Sequence, residues 1–73
     1  MDLFAAEVGR TYLIRQIATD DPEMDAFLFR LGAYSGETIT VVSKKRRSCI
    51  VAIKNSRYSI DKKLAQKVLV VAQ

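Results

Sequence analysis

The sequence contains no histidine, one cysteine, one proline and three glycines among its 73 residues. Histidine is the side chain that most often transfers protons near neutral pH, so its absence removes the usual general acid or base. No serine or cysteine has a histidine partner for nucleophilic attack, and no G-x-x-x-x-G-K phosphate-binding loop is present. We therefore expect that the protein is not an enzyme and has no catalytic residues.

Metal-binding side chains are equally scarce. Iron and zinc sites are built mostly from imidazole, thiolate and carboxylate ligands. Cys49 stands alone at the start of a predicted strand, where a cysteine usually serves as a small buried apolar residue, and it cannot form an internal disulfide. The carboxylates of residues 20–25 could bind a hard cation weakly, but helix capping already explains them. We predict neither a metal site nor a bound cofactor.

Long apolar runs are also missing. No segment approaches the roughly 20 residues needed to span a bilayer. The first residues, 1–7, carry two acids and no basic residue, unlike a signal peptide. We expect a cytoplasmic protein that does not insert into membranes. Its formal net charge of +4 either favours an acidic partner, whether protein, nucleic acid or lipid, or serves solubility alone.

The clearest pattern is a change of periodicity between residues 29 and 42. Asp21 and Pro22 are typical of the start of a helix, as N-cap and first helical residue. The apolar residues that follow at helical spacing are Met24, Phe27, Leu28 and Leu31. Gly32 suits the left-handed residue that ends a helix, and Gly36 suits a turn before a strand. The pattern predicts a helix, a tight turn and then a strand.

The rest of the chain predicts four more strands and a short second helix. The five predicted strands cover residues 10–17, 37–43, 48–54, 57–60 and 67–71, and the short helix covers 61–66. A capping turn over residues 2–8 should dock Leu3 and Val8 on the core. The length allows a single domain, residues 1–73. The element order matches an all-β, small SH3-like barrel of about five strands with one inserted helix and a short second helix.

Two surface features are candidates for binding a partner. The first is a run of four cations at the predicted hairpin tip: Lys44, Lys45, Arg46 and Arg47. It is either a contact for an acidic or phosphorylated partner, extended by the basic residues among 54–63, or a solvated turn that keeps the protein soluble. The second is Tyr34, in the turn between the helix and the next strand. It is either an exposed contact residue or part of the core over the mouth of the barrel.

The spacing Leu28-x-x-Leu31-Gly32-Ala33-x-x-Gly36 resembles the RLxxLGLxPG signature of the FeoA domain. The resemblance extends over nearly the whole chain, from Leu3 and Gly9 to the closing strand. The sequence departs from the family pattern in having Ser35 where proline is common, and the residues 44–47 where a Gly/Pro-rich loop is common. FeoA domains are small accessory proteins of bacterial ferrous iron uptake, and they also occur as C-terminal modules of iron- and manganese-dependent repressors.

The resemblance implies that the partner is the FeoB ferrous iron transporter, bound and regulated from its cytoplasmic side. Because the chain shows no DNA-binding helical region, the repressor-module form of the family is disfavoured. The alternative is a nucleic-acid-binding SH3-like barrel that uses the basic hairpin. Few aromatic residues accompany the cations, so nucleic acid is the less expected partner. A metal-responsive module is a third interpretation, and the oligomeric state is left open.

Overall fold

The computed structural model describes residues 1–73. Its elements, in chain order, are a 3-10 turn Leu3–Ala5, strand β1 Thr11–Ile17, helix α1 Pro22–Leu31, strand β2 Thr38–Lys44, strand β3 Ser48–Ile53, strand β4 Ser56–Asp61, helix α2 Lys62–Ala65 and strand β5 Val68–Ala72. Each strand therefore begins and ends within one residue of its predicted bounds. No helix in the structure has the length and apolar character needed to cross a membrane.

The five strands form one antiparallel sheet in the order β4-β3-β2-β1-β5. The register shifts between Ile14 and Gln16 in β1 and between Val41 and Ser43 in β2. Such irregularities bend a strand and increase its twist. The bent sheet wraps around its own apolar face, and α2 connects the two outer strands, β4 and β5.

One apolar core fills the inside of this sheet, and no polar side chain is buried in it. The core residues are Leu3, Ala6, Tyr12, Ile14, Leu28, Ala33, Ile39, Val41, Cys49, Val51, Ile53, Ile60, Ala65, Val68 and Val70. They alternate along the strands, as expected for a sheet with one buried face. Leu3 docks on the core as predicted, whereas the prediction for Val8 is wrong. Val8 is 55% exposed, in a turn that it forms with Gly9.

Helix α1 begins and ends as the sequence predicts. The Asp21 carboxylate accepts a hydrogen bond from the backbone N–H of Glu23, and Pro22 is the first helical residue. Gly32 has a φ of 94° and its N–H is bonded to carbonyls of the last helical turn. Gly36 also has a positive φ, 93°, in the turn that leads into β2. Both glycines therefore occupy backbone conformations that disfavour side chains.

Only part of the predicted apolar face of α1 is packed. Leu28 is fully buried and Leu31 is half-buried, but Met24 and Phe27 are 38% and 37% exposed. The helix therefore rests on the sheet through its C-terminal half, next to the turn that ties it to β2. Its N-terminal apolar residues have no strand beneath them, so the expectation of one continuous packed face is only half right.

Candidate functional site

The predicted basic hairpin is tied into the fold by backbone hydrogen bonds. The backbone N–H of Lys45 donates to the carbonyl of Ser48 at 2.8 Å, which closes the β2–β3 turn. The backbone N–H of Lys62 donates to the carbonyl of Arg47 at 2.8 Å, which ties the start of α2 to the hairpin. The basic surface, defined here as residues 44–47, Lys62 and Lys63, therefore comes from two elements held side by side.

Opposite charges do little to neutralise the basic surface. Its centre is an open groove of about 730 Å³, lined by Arg46, Arg47, Asp61, Lys62, Lys63 and Gln66. Asp61 is the only acid in this lining, and its carboxylate accepts a hydrogen bond from the backbone N–H of Lys63 at 3.0 Å as the cap of α2. The two ion pairs of the structure involve other residues. No apolar side chain lines the groove.

The ring of Phe4 lies under two lysines of this surface, a role that the sequence did not indicate. The ammonium groups of Lys44 and Lys62 lie 5.7 and 5.3 Å from the centroid of its ring. Phe4 is half-buried and packs against the core. Two lysines from different elements therefore converge on one ring, which is a favourable position for a cation.

Tyr34 lies in a second site, in the turn between α1 and β2. The Gly36 N–H donates to the carbonyl of Ile14, and the Ser35 hydroxyl donates to the carbonyl of Arg15. These two hydrogen bonds anchor the turn on β1. The ring of Tyr34 lies 5.2 Å from that of Phe29, centroid to centroid, and the side chain is half-buried. Tyr34 is thus neither fully exposed nor part of the core, and its role as a contact residue stays a prediction.

Lys54 completes the second site from the β3–β4 turn. Its ammonium group donates to the Tyr34 hydroxyl at 3.2 Å, lies 5.5 Å from the centroid of the same ring, and is 3.7 Å from a carboxylate oxygen of Glu37. The hydrogen bond to Tyr34, and then the charge of Glu37, raise the pKa of Lys54. Lys54 also has a φ of 57°, a conformation that non-glycine residues rarely adopt outside turns and functional sites.

These residues border a shallow groove of about 380 Å³, which we call the aromatic groove. Its lining residues are Phe29, Arg30, Leu31, Gly32, Tyr34, Ile53, Lys54, Ser56 and Tyr58. Three of the six aromatic residues of the chain line it. The groove combines ring faces with a few polar groups, which is the composition that protein-binding surfaces favour.

The structure separates the two predicted contact features. Tyr34 contacts Lys54, just beyond the end of β3, whereas the hairpin 44–47 precedes its start. The six residues of β3 lie between them, and this strand alone is about 17 Å long at the usual rise of a strand. Of the basic residues predicted to extend the hairpin, Lys62 and Lys63 do so. Lys54 and Arg57 belong to the opposite end.

Phe29 is a second residue whose role the sequence did not indicate. It is 65% exposed, the most exposed aromatic side chain in the structure. Residues two positions apart in a helix point about 200° away from each other around its axis. Phe29 therefore points away from the face that includes Phe27. A phenylalanine outside the apolar face of an amphipathic helix is the pattern that could have identified it.

Two of the residues considered for metal binding, Cys49 and Asp21, have structural roles. Cys49 is buried in the core, and burial raises the pKa of its thiol, while the charge of Lys44 lowers it to a smaller extent. Asp21 caps α1. No group of three or more histidine, cysteine, aspartate or glutamate side chains comes together in the structure. The predicted interpretations of Cys49 as a buried apolar residue and of Asp21 as a helix cap are confirmed.

Comparison with solved structures supports the fold. A manganese-dependent transcriptional repressor matches with a TM-score of 0.91 and 23% identity, over 100% of this chain and 41% of the repressor. The chain thus spans about two fifths of the repressor's length. The crystal structure of an iron uptake regulatory protein, FeoA, matches with a TM-score of 0.87 and 24% identity, over 96% of this chain and 93% of that one.

A third match is the Stenotrophomonas maltophilia FeoA complexed with zinc, described as an SH3 domain protein, with a TM-score of 0.77 and 19% identity over 97% of this chain and 89% of that one. The predicted SH3-like architecture is therefore confirmed. No protein of curated function matches the sequence. The model of the FeoA domain matches residues 1–72, so the chain belongs to the FeoA domain family.

Proposed function

We propose that this protein is a small cytoplasmic accessory protein of bacterial ferrous iron uptake, which binds and regulates the FeoB transporter. The observation that carries the proposal is the match of the FeoA domain to residues 1–72. The similar S. maltophilia protein is described as a candidate activating factor of ferrous iron transport. Ferrous iron is the cargo of such a system, and this chain supplies contacts to the transporter.

The aromatic groove is the better candidate for the contact with the transporter. Phe29 and Tyr34 present adjacent rings, and Arg30 and Lys54 border them with cations. Aromatic and arginine side chains contribute most of the binding energy at many protein interfaces. Because Lys54, which is paired with Glu37, already holds the Tyr34 hydroxyl by a hydrogen bond, little conformational freedom is lost on binding. Tyr34 thus stays a proposed contact residue, and Phe29 joins it.

Regulation by such a module needs no chemistry of its own. A bound protein shifts a conformational equilibrium only by the difference between its affinities for the two states. A transporter with a nucleotide-dependent cytoplasmic domain offers such states. Binding of the aromatic groove to one of them would change the population of that state and therefore the rate of transport.

The test is an NMR titration of the ¹⁵N-labelled protein with the soluble cytoplasmic domain of the transporter from the same organism. We expect saturable shifts at the amides of residues 29–34 and 53–58. Phe29→Ala should weaken binding roughly tenfold or more, as for a central interface aromatic. Phe27→Ala is the matched control, since it removes the same side chain from the same helix on another face, and it should leave the affinity within about twofold.

Two results would contradict the proposal. A silent spectrum at saturating concentrations of the cytoplasmic domain would remove the evidence for this partner. Equal losses in the Phe29 and Phe27 variants would place the contact on α1 as a whole and not in the aromatic groove. The far-ultraviolet circular dichroism of both variants shows whether they remain folded.

A further inference from the structure

We propose that the basic surface docks on an anionic lipid bilayer, with its lysine and arginine side chains on the lipid phosphate groups. This inference goes beyond the binding of a protein partner and does not depend on which protein that is. The surface made by residues 44–47, Lys62 and Lys63 adsorbs to the face of the bilayer, and no part of the chain inserts into it.

The concentration of charge is the first argument. This one surface holds six of the twelve basic residues of the chain. Five of the six side chains are exposed and Lys44 is half-buried. None of them is in an ion pair, and the only acid in the groove is the capping residue Asp61. Clusters of four to eight lysines and arginines bind anionic lipid surfaces when they lie beside a membrane-spanning or amphipathic helix, and this exposed cluster offers the same number of charges.

The way in which these cations are held is the second argument. The hydrogen bond from Lys62 to the carbonyl of Arg47 fixes α2 against the hairpin, and Lys44 and Lys62 converge on the ring of Phe4. Self-repulsion would drive apart six cations on flexible segments. The fold keeps them on one side of the molecule, so several can face the same charged plane at once.

The composition of the groove favours lipid over protein. A protein interface usually has a core of apolar and aromatic side chains, and the lining of this groove contains none. Adsorption to an anionic bilayer needs only charge. The composition also disfavours single-stranded nucleic acid, which stacks its bases on exposed rings. Phe4 is packed on the core under two lysines, and Tyr58 belongs to the aromatic groove.

Neighbouring acids indicate which cations approach the bilayer most closely. Asp21, at the start of α1, and the capping residue Asp61 line a second groove with Lys63 and Lys67. Anionic lipids repel these carboxylates, so the molecule should tilt toward the hairpin. Arg46 and Arg47 are then the principal contacts. The aromatic groove, at the opposite end of β3, stays accessible to a protein partner in the cytoplasm.

The test is sedimentation of the protein with vesicles of phosphatidylcholine containing about one third phosphatidylglycerol, at about 50 mM salt. We expect binding to these vesicles, none to pure phosphatidylcholine, and a steep loss with added salt. Each neutralised contact should lower the affinity for anionic vesicles about fivefold. The double variant Arg46→Gln/Arg47→Gln should therefore bind them about 25-fold more weakly.

The matched control is Arg15→Gln/Arg57→Gln. It lowers the net charge equally, but both arginines are exposed and lie toward the aromatic groove. Its affinity for anionic vesicles should fall by no more than about twofold, because the two charges that it removes are distant from the bilayer. The proposal is overturned if the folded protein ignores the anionic vesicles, or if the two double variants lose binding equally. It is also overturned if a single-stranded oligonucleotide binds more tightly than vesicles at equal phosphate concentration.

Discussion

Replacing Gly32 with alanine should destabilise the protein by about 1–5 kcal/mol, for two reasons that can be measured separately. Gly32 has a φ of 94°, and a left-handed conformation costs an L-residue about 1–2 kcal/mol. A Cβ at this position would also lie 3.2 Å from Cγ2 of Ile53 and 3.1 Å from Cε of Lys54. Lys54 can move aside, but Ile53 is in the core, so the crowding should add about 1–3 kcal/mol. Alanine also makes the unfolded chain less flexible than glycine does, which offsets up to about 1 kcal/mol of this loss.

Gly36→Ala is the control that separates the two causes. Gly36 has nearly the same φ, 93°, but a Cβ there would meet no atom within 4 Å. This variant should therefore lose only about 1 kcal/mol, because it has the backbone cost alone. Urea unfolding gives both free energies, and each kcal/mol corresponds to about 4–8 °C in the melting temperature of a domain this size. Equal losses in the two variants would refute the contact between Gly32 and Ile53.

Three further predictions follow from burial and charge. Leu28→Ala should lower the free energy of unfolding by about 2–5 kcal/mol and Phe27→Ala by less than about 1 kcal/mol, because only Leu28 is fully buried; urea unfolding measures both. Since Cys49 is buried in the core and burial also raises the pKa of its thiol, folded protein should react with a maleimide far more slowly than urea-unfolded protein. The raised pKa of Lys54 means that its contribution to stability is complete below the lysine pKa of the unfolded chain, about 10.4, and disappears as the pH rises through the folded value. The free energies of unfolding of the protein and of Lys54→Met, measured in urea between about pH 9 and pH 12, should become more similar as the pH rises. A difference that stays constant would contradict the contact of Lys54 with Tyr34 and Glu37.

Local chemistry allowed the sequence to predict the elements, but not all of their packing. Asp21, Gly32 and Gly36 have strong conformational preferences of their own, so the helix and its turn could be located without a structure. Periodicity shows that Met24 and Phe27 share a face with Leu28. It cannot show that no strand lies beneath that face, because this depends on where the turn after Gly32 directs the helix.

The arrangement of the surfaces was predictable only in part. Successive hairpins of a meander turn at opposite ends of the sheet, so the hairpin 44–47 and the end of β4 must lie together. That rule places Lys62 and Lys63 beside the hairpin and Lys54 far from it. The contact of Tyr34 with Lys54 joins residues from two distant turns and depends on side-chain geometry, which no local pattern specifies.

The last prediction concerns the independence of the two surfaces. If the aromatic groove binds the transporter and the basic surface binds lipid, Phe29→Ala should weaken binding to the soluble cytoplasmic domain, whereas Arg46→Gln/Arg47→Gln should not. With the full transporter in anionic vesicles, both changes should weaken recruitment. Their effects on the binding free energy should then add, since sites more than about 10 Å apart without shared contacts act independently.

The same comparison shows which assignment fails. A loss of binding to the soluble domain in the arginine variant would mean that the basic surface contacts the protein and not the bilayer. Non-additive losses in vesicles would mean that one ligand spans both ends of the barrel. The largest extent of the molecule is 29 Å, so a protein partner would have to contact it along nearly its whole length to do so. A bilayer is planar and meets only one end, and this is why additivity distinguishes the two cases.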